Sequence, residues 1–191
     1  MLFRSGEEIS FIVPKKTIRE LIKIIGSETD KDVQISVGKR HIIFDVYNYS
    51  IISRLLEGDF LDYNAAIPKT SGTTVLINTN DAISCIERTI PVIENSAKNP
   101  IRCLFDNDEM RVSTVSALGR VVDYTHANIS GNRVEIGFNS KYLLDAFNAA
   151  DTDQVKIELS GPVSPVKILP VNDESFLFLV LPMRLKGSDN D

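Results

Sequence analysis

Apolar positions along the chain switch between two periods, and they do so three times. Phe11-Ile12-Val13-Pro14, Val75-Leu76-Ile77-Asn78 and Glu135-Ile136-Gly137-Phe138-Asn139 each predict a short strand that runs directly into a helix. These entries recur about every 60 residues, a period that marks a repeat architecture. After each helix the pattern changes to short alternating or continuous apolar runs that predict three strands. In the first unit they are Val33 to Val37, His41 to Val46 and Ile51 to Leu56. The second unit has Ile101 to Phe105, Met110 to Val115 and Val121 to Ile129. The third has Val155 to Leu159, Val166 to Leu169 and Phe176 to Leu181. A scaffold built by repetition works by shape and surface more often than by a catalytic pocket.

The helices differ in what they expose. Pro14 stands at the first turn of the first, where its missing N–H leaves no bond unmade. From Lys15 to Ile25, Ile18, Leu21, Ile22 and Ile25 fall on one stripe and predict a buried face. Lys15, Lys16, Arg19 and Lys23 fall on the opposite face, within an arc of about 100°. Like charges at this spacing, beginning at the positive end of the helix dipole, are unfavourable by a few tenths of a kcal/mol each. Such a face suits a polyanion, although a solvated lysine face is the plainer reading of this helix alone. The second helix is predicted from Thr79 to about Glu94, with Ala82, Ile83, Ile86 and Ile90 inward and a kink or an end at Pro91. The third starts at an Asn139 cap, buries Leu143, Ala146 and Phe147, and exposes Lys141 and Asp145, with Tyr142 at the edge of the stripe.

Composition narrows the function classes. A length of 191 residues allows one or two domains with useful cores, and 43% hydrophobic with 25% charged residues is ordinary for a soluble protein. The longest apolar run, Phe176 to Leu181, falls far short of the ~20 residues of a membrane helix. Met1 to Ser5 lacks the apolar core of a signal peptide, so a cytoplasmic setting is expected, with Cys85 and Cys103 as buried thiols. A net charge of -5 argues against a protein that coats nucleic acid over its whole surface, and leaves room for a local basic patch.

No catalytic constellation emerges. His41 and His126 lie in separate strand patterns without a metal-ligand spacing to any Cys, His or carboxylate. The acidic pairs Glu7-Glu8, Asp106/Asp108 and Asp151/Asp153 fall in turns. Lys69-Thr70-Ser71-Gly72 lacks the Gly-x-x-x-x-Gly-Lys order of a phosphate loop and reads as a linker. A non-enzyme without cofactor or metal is expected.

Two segments go beyond the generic pattern. Leu55-Leu56-Glu57-Gly58-Asp59-Phe60-Leu61-Asp62-Tyr63 closes the first unit, and Phe178-Leu179-Val180-Leu181-Pro182-Met183-Arg184-Leu185 closes the third. With the repeated unit, the E-G-x-F-x-D-Y and P-M-R-L signatures resemble the bacterial sliding clamps, the beta subunits of the replicative DNA polymerase III. The resemblance runs from about Ile9 to Leu185. It implies an α+β DNA clamp fold, in which strand–helix–three-strand units place helices on one face of antiparallel sheets. Two units make one domain, and a ring of domains encircles duplex DNA with its helices lining the hole. Lys15, Lys16, Arg19 and Lys23 would then face DNA, joined by Lys141. Phosphate attraction of this kind is independent of sequence and suits sliding.

Clamps tether polymerase and clamp-loader subunits through short apolar peptides. Carried over position by position, the resemblance assigns such a groove to Leu61, Ala65, Ala66, Tyr142, Val163, Leu179, Val180, Leu181, Pro182, Met183 and Arg184, although alternate residues of Leu179 to Leu181 also belong to a core strand. Leu61 and Ala65 stand where relatives commonly carry a proline and a basic residue. The implied division is 1–63 as the second half of a middle domain, 64–185 as a complete C-terminal domain and 186–191 as a polar tail. The expected function is a processivity clamp that is a homo-oligomer with no membrane partner. The alternative is a truncated module that binds clamp partners without encircling DNA. The first unit would have no partner half within the chain, leaving an apolar helix face and strand edges uncovered.

Overall fold

The computed structural model describes residues 9–26, 32–93 and 99–185. The tail 186–191, the pair Glu7-Glu8 and Glu94 lie outside the described residues. The chain divides into two compact units, Met1–Leu61 and Asp62–Asp191.

The first unit is one helix on a small sheet. Helix α1 (Lys15–Ile25) begins at Pro14 and ends at Gly26, whose φ of 58° lets its N–H turn back to the Ile22 carbonyl over 2.9 Å. Strands β1 (Gln34–Val37), β2 (His41–Val46) and β3 (Tyr49–Arg54) form an antiparallel sheet in that order. The alternation in β2 sends Ile42, Phe44 and Val46 into the core, where they meet Leu21 of α1. Thr17 and Ser53 join helix to sheet through a hydroxyl–hydroxyl bond of 2.7 Å.

Two expectations fail in this unit. Phe11-Ile12-Val13 forms no strand; the backbone is held by the Leu56 N–H, which donates to the Ile12 carbonyl over 2.9 Å. The predicted buried stripe of α1 is buried only in part. Leu21 is covered and Ile25 half-covered, but Ile18 is 38% and Ile22 62% exposed. Both departures have the same cause: the sheet and core of this unit are too small to cover both the entry segment and the whole helix stripe.

The second unit holds two strand–helix–three-strand halves in full. The first comprises β4 (Thr73–Asn78), α2 (Thr79–Glu87), β5 (Ile101–Asp106), β6 (Glu109–Ser116) and β7 (Gly119–Gly131). The second comprises β8 (Val134–Phe138), α3 (Ser140–Ala149), β9 (Gln154–Leu159), β10 (Val166–Pro170) and β11 (Phe178–Val180). All eight strands join one antiparallel sheet, ordered β11-β10-β9-β4-β7-β6-β5-β8. The halves exchange entry strands: β4 pairs with β9 and β8 with β5. Helices α2 and α3 pack on each other above a single core that includes Ile86, Phe105, Ile136, Phe138 and Phe147. The α+β class of antiparallel sheet and helices is therefore present.

Local chemistry sets the helix ends here. Asp81 N–H donates to Asn78 Oδ1 over 3.1 Å, and Lys141 N–H to Asn139 Oδ1 over 3.0 Å, so both helices begin at asparagine caps. Helix α2 stops at Glu87, earlier than the sequence pattern suggests, because the ring of Pro91 excludes a helical carbonyl four residues before it. A short 3-10 turn, Ile90–Val92, follows and leaves Ile90 exposed, where the stripe places it inward. Among the described residues, no helix is long and apolar enough to cross a membrane.

Candidate functional site: an apolar cleft beside the last strand

The C-terminal segment builds a cleft on the second unit. After β11 the chain passes over β8, where Met183 N–H donates to the Gly137 carbonyl over 2.8 Å. A side chain at Gly137 would lie 2.6 Å from the Met183 carbonyl oxygen and 2.7 Å from Leu185 Cδ2, so glycine is what admits this strap. Between the strap and α3 opens a cavity of about 720 Å³. Its helix wall is Asn139, Tyr142, Asp145, Ala146 and Ala149; its other wall is Leu177 to Met183.

The helix wall follows from spacing. Tyr142, Asp145, Ala146 and Ala149 sit at i, i+3, i+4 and i+7, one stripe of α3. The two alanines keep the middle of the cleft open, while the Tyr142 ring stands 64% exposed at its side. Leu181, also exposed, faces solvent from the strap. Val180 is buried and belongs to the core, as alternation in a strand requires. Phe176 and Phe178 stack at 4.7 Å between centroids and brace the strand start. The cleft is thus lined mainly by apolar side chains, with Asn139 and Asp145 as polar points. Such a surface takes aliphatic and aromatic anchors of a partner.

Of the groove residues expected from sequence, Tyr142, Leu179, Val180, Leu181, Pro182 and Met183 come together here. Ala65 and Ala66 lie in an exposed 3-10 turn, Tyr63–Ala66, capped where Asn64 N–H donates to Asp62 Oδ1. Val163, in the turn between β9 and β10, and Arg184 are exposed; neither these two nor the alanines line the cavity. Leu61, exposed, ends the first unit. Sequence reasoning missed Asn139, Asp145, Ala146, Ala149, Leu177 and Phe178 as cleft residues; the helical stripe from Tyr142 passes through Asp145, Ala146 and Ala149, but nothing in it marks them as one wall of a cleft.

The basic face of α1 is present and exposed, but it is not purely basic. Lys23 Nζ meets Glu20 Oε1 at 2.9 Å, and this hydrogen bond, followed by the Lys23 charge, holds the Glu20 carboxyl below its ordinary range. Lys15, Lys16 and Arg19 accompany it, while Lys141 is exposed on α3 in the other unit. Cys85 and Cys103 are buried; burial pushes the Cys85 thiol up to about 11 and raises Cys103 further. No metal-binding group of His, Cys, Asp and Glu occurs among the described residues.

The repeated halves, the strap over β8 and the cleft beside it define a domain of the polymerase clamp class. The family model for the C-terminal domain of the DNA polymerase III beta subunit matches residues 64–184, and that for its central domain matches residues 2–62. The chain belongs to the DNA polymerase III beta-subunit family. It is 34% identical over 181 residues to the beta sliding clamp of Staphylococcus epidermidis and 32% identical to that of Staphylococcus aureus, covering 94% of this chain and 48% of each relative. Among solved structures, the DNA polymerase sliding clamp of Bacillus subtilis matches with a TM-score of 0.85 at 28% identity, covering 92% of this chain and 47% of that one. The DNA polymerase III beta subunit of Pseudomonas aeruginosa matches with a TM-score of 0.84 at 28% identity, covering 92% and 48%. The chain spans about half the length of these relatives.

Proposed function

We propose that this chain serves as the partner-binding part of a DNA sliding clamp, a non-catalytic accessory to a replicative polymerase in the cytoplasm. The observation that carries the proposal is the cleft between α3 and the Leu177–Met183 strap, in a chain of the beta-subunit family. Short peptides of polymerase and clamp-loader subunits dock there through Leu and Phe anchors, with Met183 supplying an adaptable wall and Tyr142 a rigid one. Leu61, Ala65, Ala66, Val163 and Arg184 are assigned as further contacts with the same partners, as the family resemblance implies. Residues 64–185 act as the C-terminal domain and 1–63 as half of a middle domain. Lys15, Lys16, Arg19, Lys23 and Lys141 face duplex DNA and attract phosphate without reading sequence.

A second reading rests on the same cleft, which lies wholly within the second unit: a module that binds clamp partners without encircling DNA. One titration series separates the readings. A fluorescent peptide with Leu and Phe anchors binds the native chain and loses affinity in Met183→Ala under either reading. Arg19→Glu/Lys23→Glu lowers affinity for a short DNA duplex, and flattens its salt dependence, only if α1 faces DNA. Loss of neither peptide nor duplex binding in these variants would overturn the assignment of both surfaces.

A further inference from the structure

The cleft beside α3 holds a single charged residue. Of the side chains that line it, Asp145 alone carries a formal charge. Asn139 is already engaged, since its side-chain oxygen accepts from the Lys141 N–H as the helix cap. Lys141 and Arg184, the nearest charged residues along the two walls, lie outside the lining. Among the described residues Asp145 takes part in no hydrogen bond or ion pair, not even with Lys141 one turn before it. Its carboxylate is exposed to solvent and stands beside apolar surface. Asp145 and Ala149 share a stripe of α3 about 5–6 Å apart, with the buried Ala146 between them. Two alanines next to a carboxylate leave a shelf that no side chain of the helix fills. Met183 bonds the residue two before Asn139, so the strap runs antiparallel to α3, and Leu177 and Phe178 fall towards the Ala149 end.

We propose that this end of the cleft is a seat for a lysine or arginine side chain of the bound peptide, its stem laid on Ala146, Ala149 and Leu177 and its cationic head paired with Asp145. The seat presupposes the cleft as the partner site and adds what the partner must carry: a cation flanking its apolar anchors. Side-chain chemistry selects this class. A purely aliphatic residue on the shelf strips water from the carboxylate and gives it no partner, which is unfavourable. An acidic residue brings a like charge to the same place. A long cationic side chain covers apolar surface with its stem and keeps the charge at its tip, which is the arrangement the alanines and Asp145 match. Because the carboxylate is exposed, the attraction is modest and screened by salt, on the order of a fivefold change in Kd. Asp145 therefore sorts among peptides that share Leu and Phe anchors, while the anchors supply the affinity.

The test titrates the full chain with fluorescent Leu/Phe-anchored peptides in which a single lysine is walked through the positions flanking the anchors. Each has a partner with norleucine at that position, which keeps the stem and removes the charge. At one position the lysine peptide should bind about fivefold more tightly than its norleucine partner at low salt, and the advantage should vanish at high salt. Asp145→Asn should bring the ratio of the two Kd values at that position to about one, and Asp145→Arg should turn the preference from lysine to glutamate. A lysine advantage that persists in Asp145→Asn overturns the seat alone. So does the lack of any advantage, at every position, from a parent peptide that binds and loses affinity in Met183→Ala. A parent peptide that fails to bind the native chain, or binds Met183→Ala equally well, overturns the cleft as the partner site and the seat with it.

Discussion

Met183 and Gly137 are joined by one backbone hydrogen bond, 2.8 Å from the Met183 amide to the Gly137 carbonyl, at a point where no side chain fits. That contact pins the final strap to the entry strand of its own half, and the strap is one wall of the cleft. Gly137→Ala would drive a methyl group into the Met183 carbonyl and the Leu185 side chain. The expected cost is about 1–3 kcal/mol of unfolding free energy, read from denaturant melts. Affinity for an anchored peptide falls with it, because Leu181 to Met183 are displaced. Unchanged stability and affinity would mean that the strap moves aside freely.

Tyr142 separates binding from folding. Its ring is mostly exposed at the cleft, so Tyr142→Ala should change stability by no more than about 0.5 kcal/mol. As a rigid aromatic anchor it should nevertheless contribute about 2 kcal/mol to peptide binding, roughly a 30-fold change in Kd. Parallel melts and titrations of this one variant check both numbers.

An acid-sensitive contact lies on the sheet. Glu158 meets Lys167 at 2.5 Å and Lys156 at 3.5 Å, and the Lys167 hydrogen bond is the main cause that holds its carboxyl below the ordinary value of 4.5. A carboxylate depressed in the folded state stabilises above its unfolded value, and that contribution is lost as pH falls through the folded value. The stability gap between the native chain and Glu158→Gln should therefore be full above pH 4.5 and shrink below it, as followed by melts across the acid range. A gap independent of pH would show that the ion pairs contribute little.

The thiols report on global opening. Cys85 and Cys103 have no exposed surface, and the Cys85 thiol is raised to about 11, so little thiolate exists near neutral pH. An aromatic disulfide reagent should leave both untouched in the native protein and titrate both once it is denatured. The sign at alkaline pH follows. The unfolded thiol, with an ordinary value of 9.0, loses its proton before the folded one, so stability falls as pH rises from about 9 towards 11.

Much of this architecture is legible in the chain because local signals agree. Asn78 and Asn139 cap helices whose apolar stripes point the same way, and the alternation in Ile42-Ile43-Phe44 and Ile101 to Phe105 fixes which strand face is inward. What misleads is tertiary. Ile18 and Ile22 have the period of a buried face, but burial needs a second helix, which the first unit lacks among its described residues; Phe11 to Val13 has strand composition without a strand to pair with. Half of the cleft is readable from the P-M-R-L ending and Tyr142. Ala146 and Ala149 are not, because a small residue on a helix signals an open cleft only once the strap opposite it is known.

The most direct test of the central claim is to map the bound peptide by amide chemical shifts of the full chain. Addition of a Leu/Phe-anchored peptide should shift residues 139–149 and 177–183 in a saturable way and leave the β5–β6 hairpin unmoved. Saturable shifts centred elsewhere, or none at peptide concentrations that saturate a sliding clamp, would contradict the assignment of this cleft as the partner site.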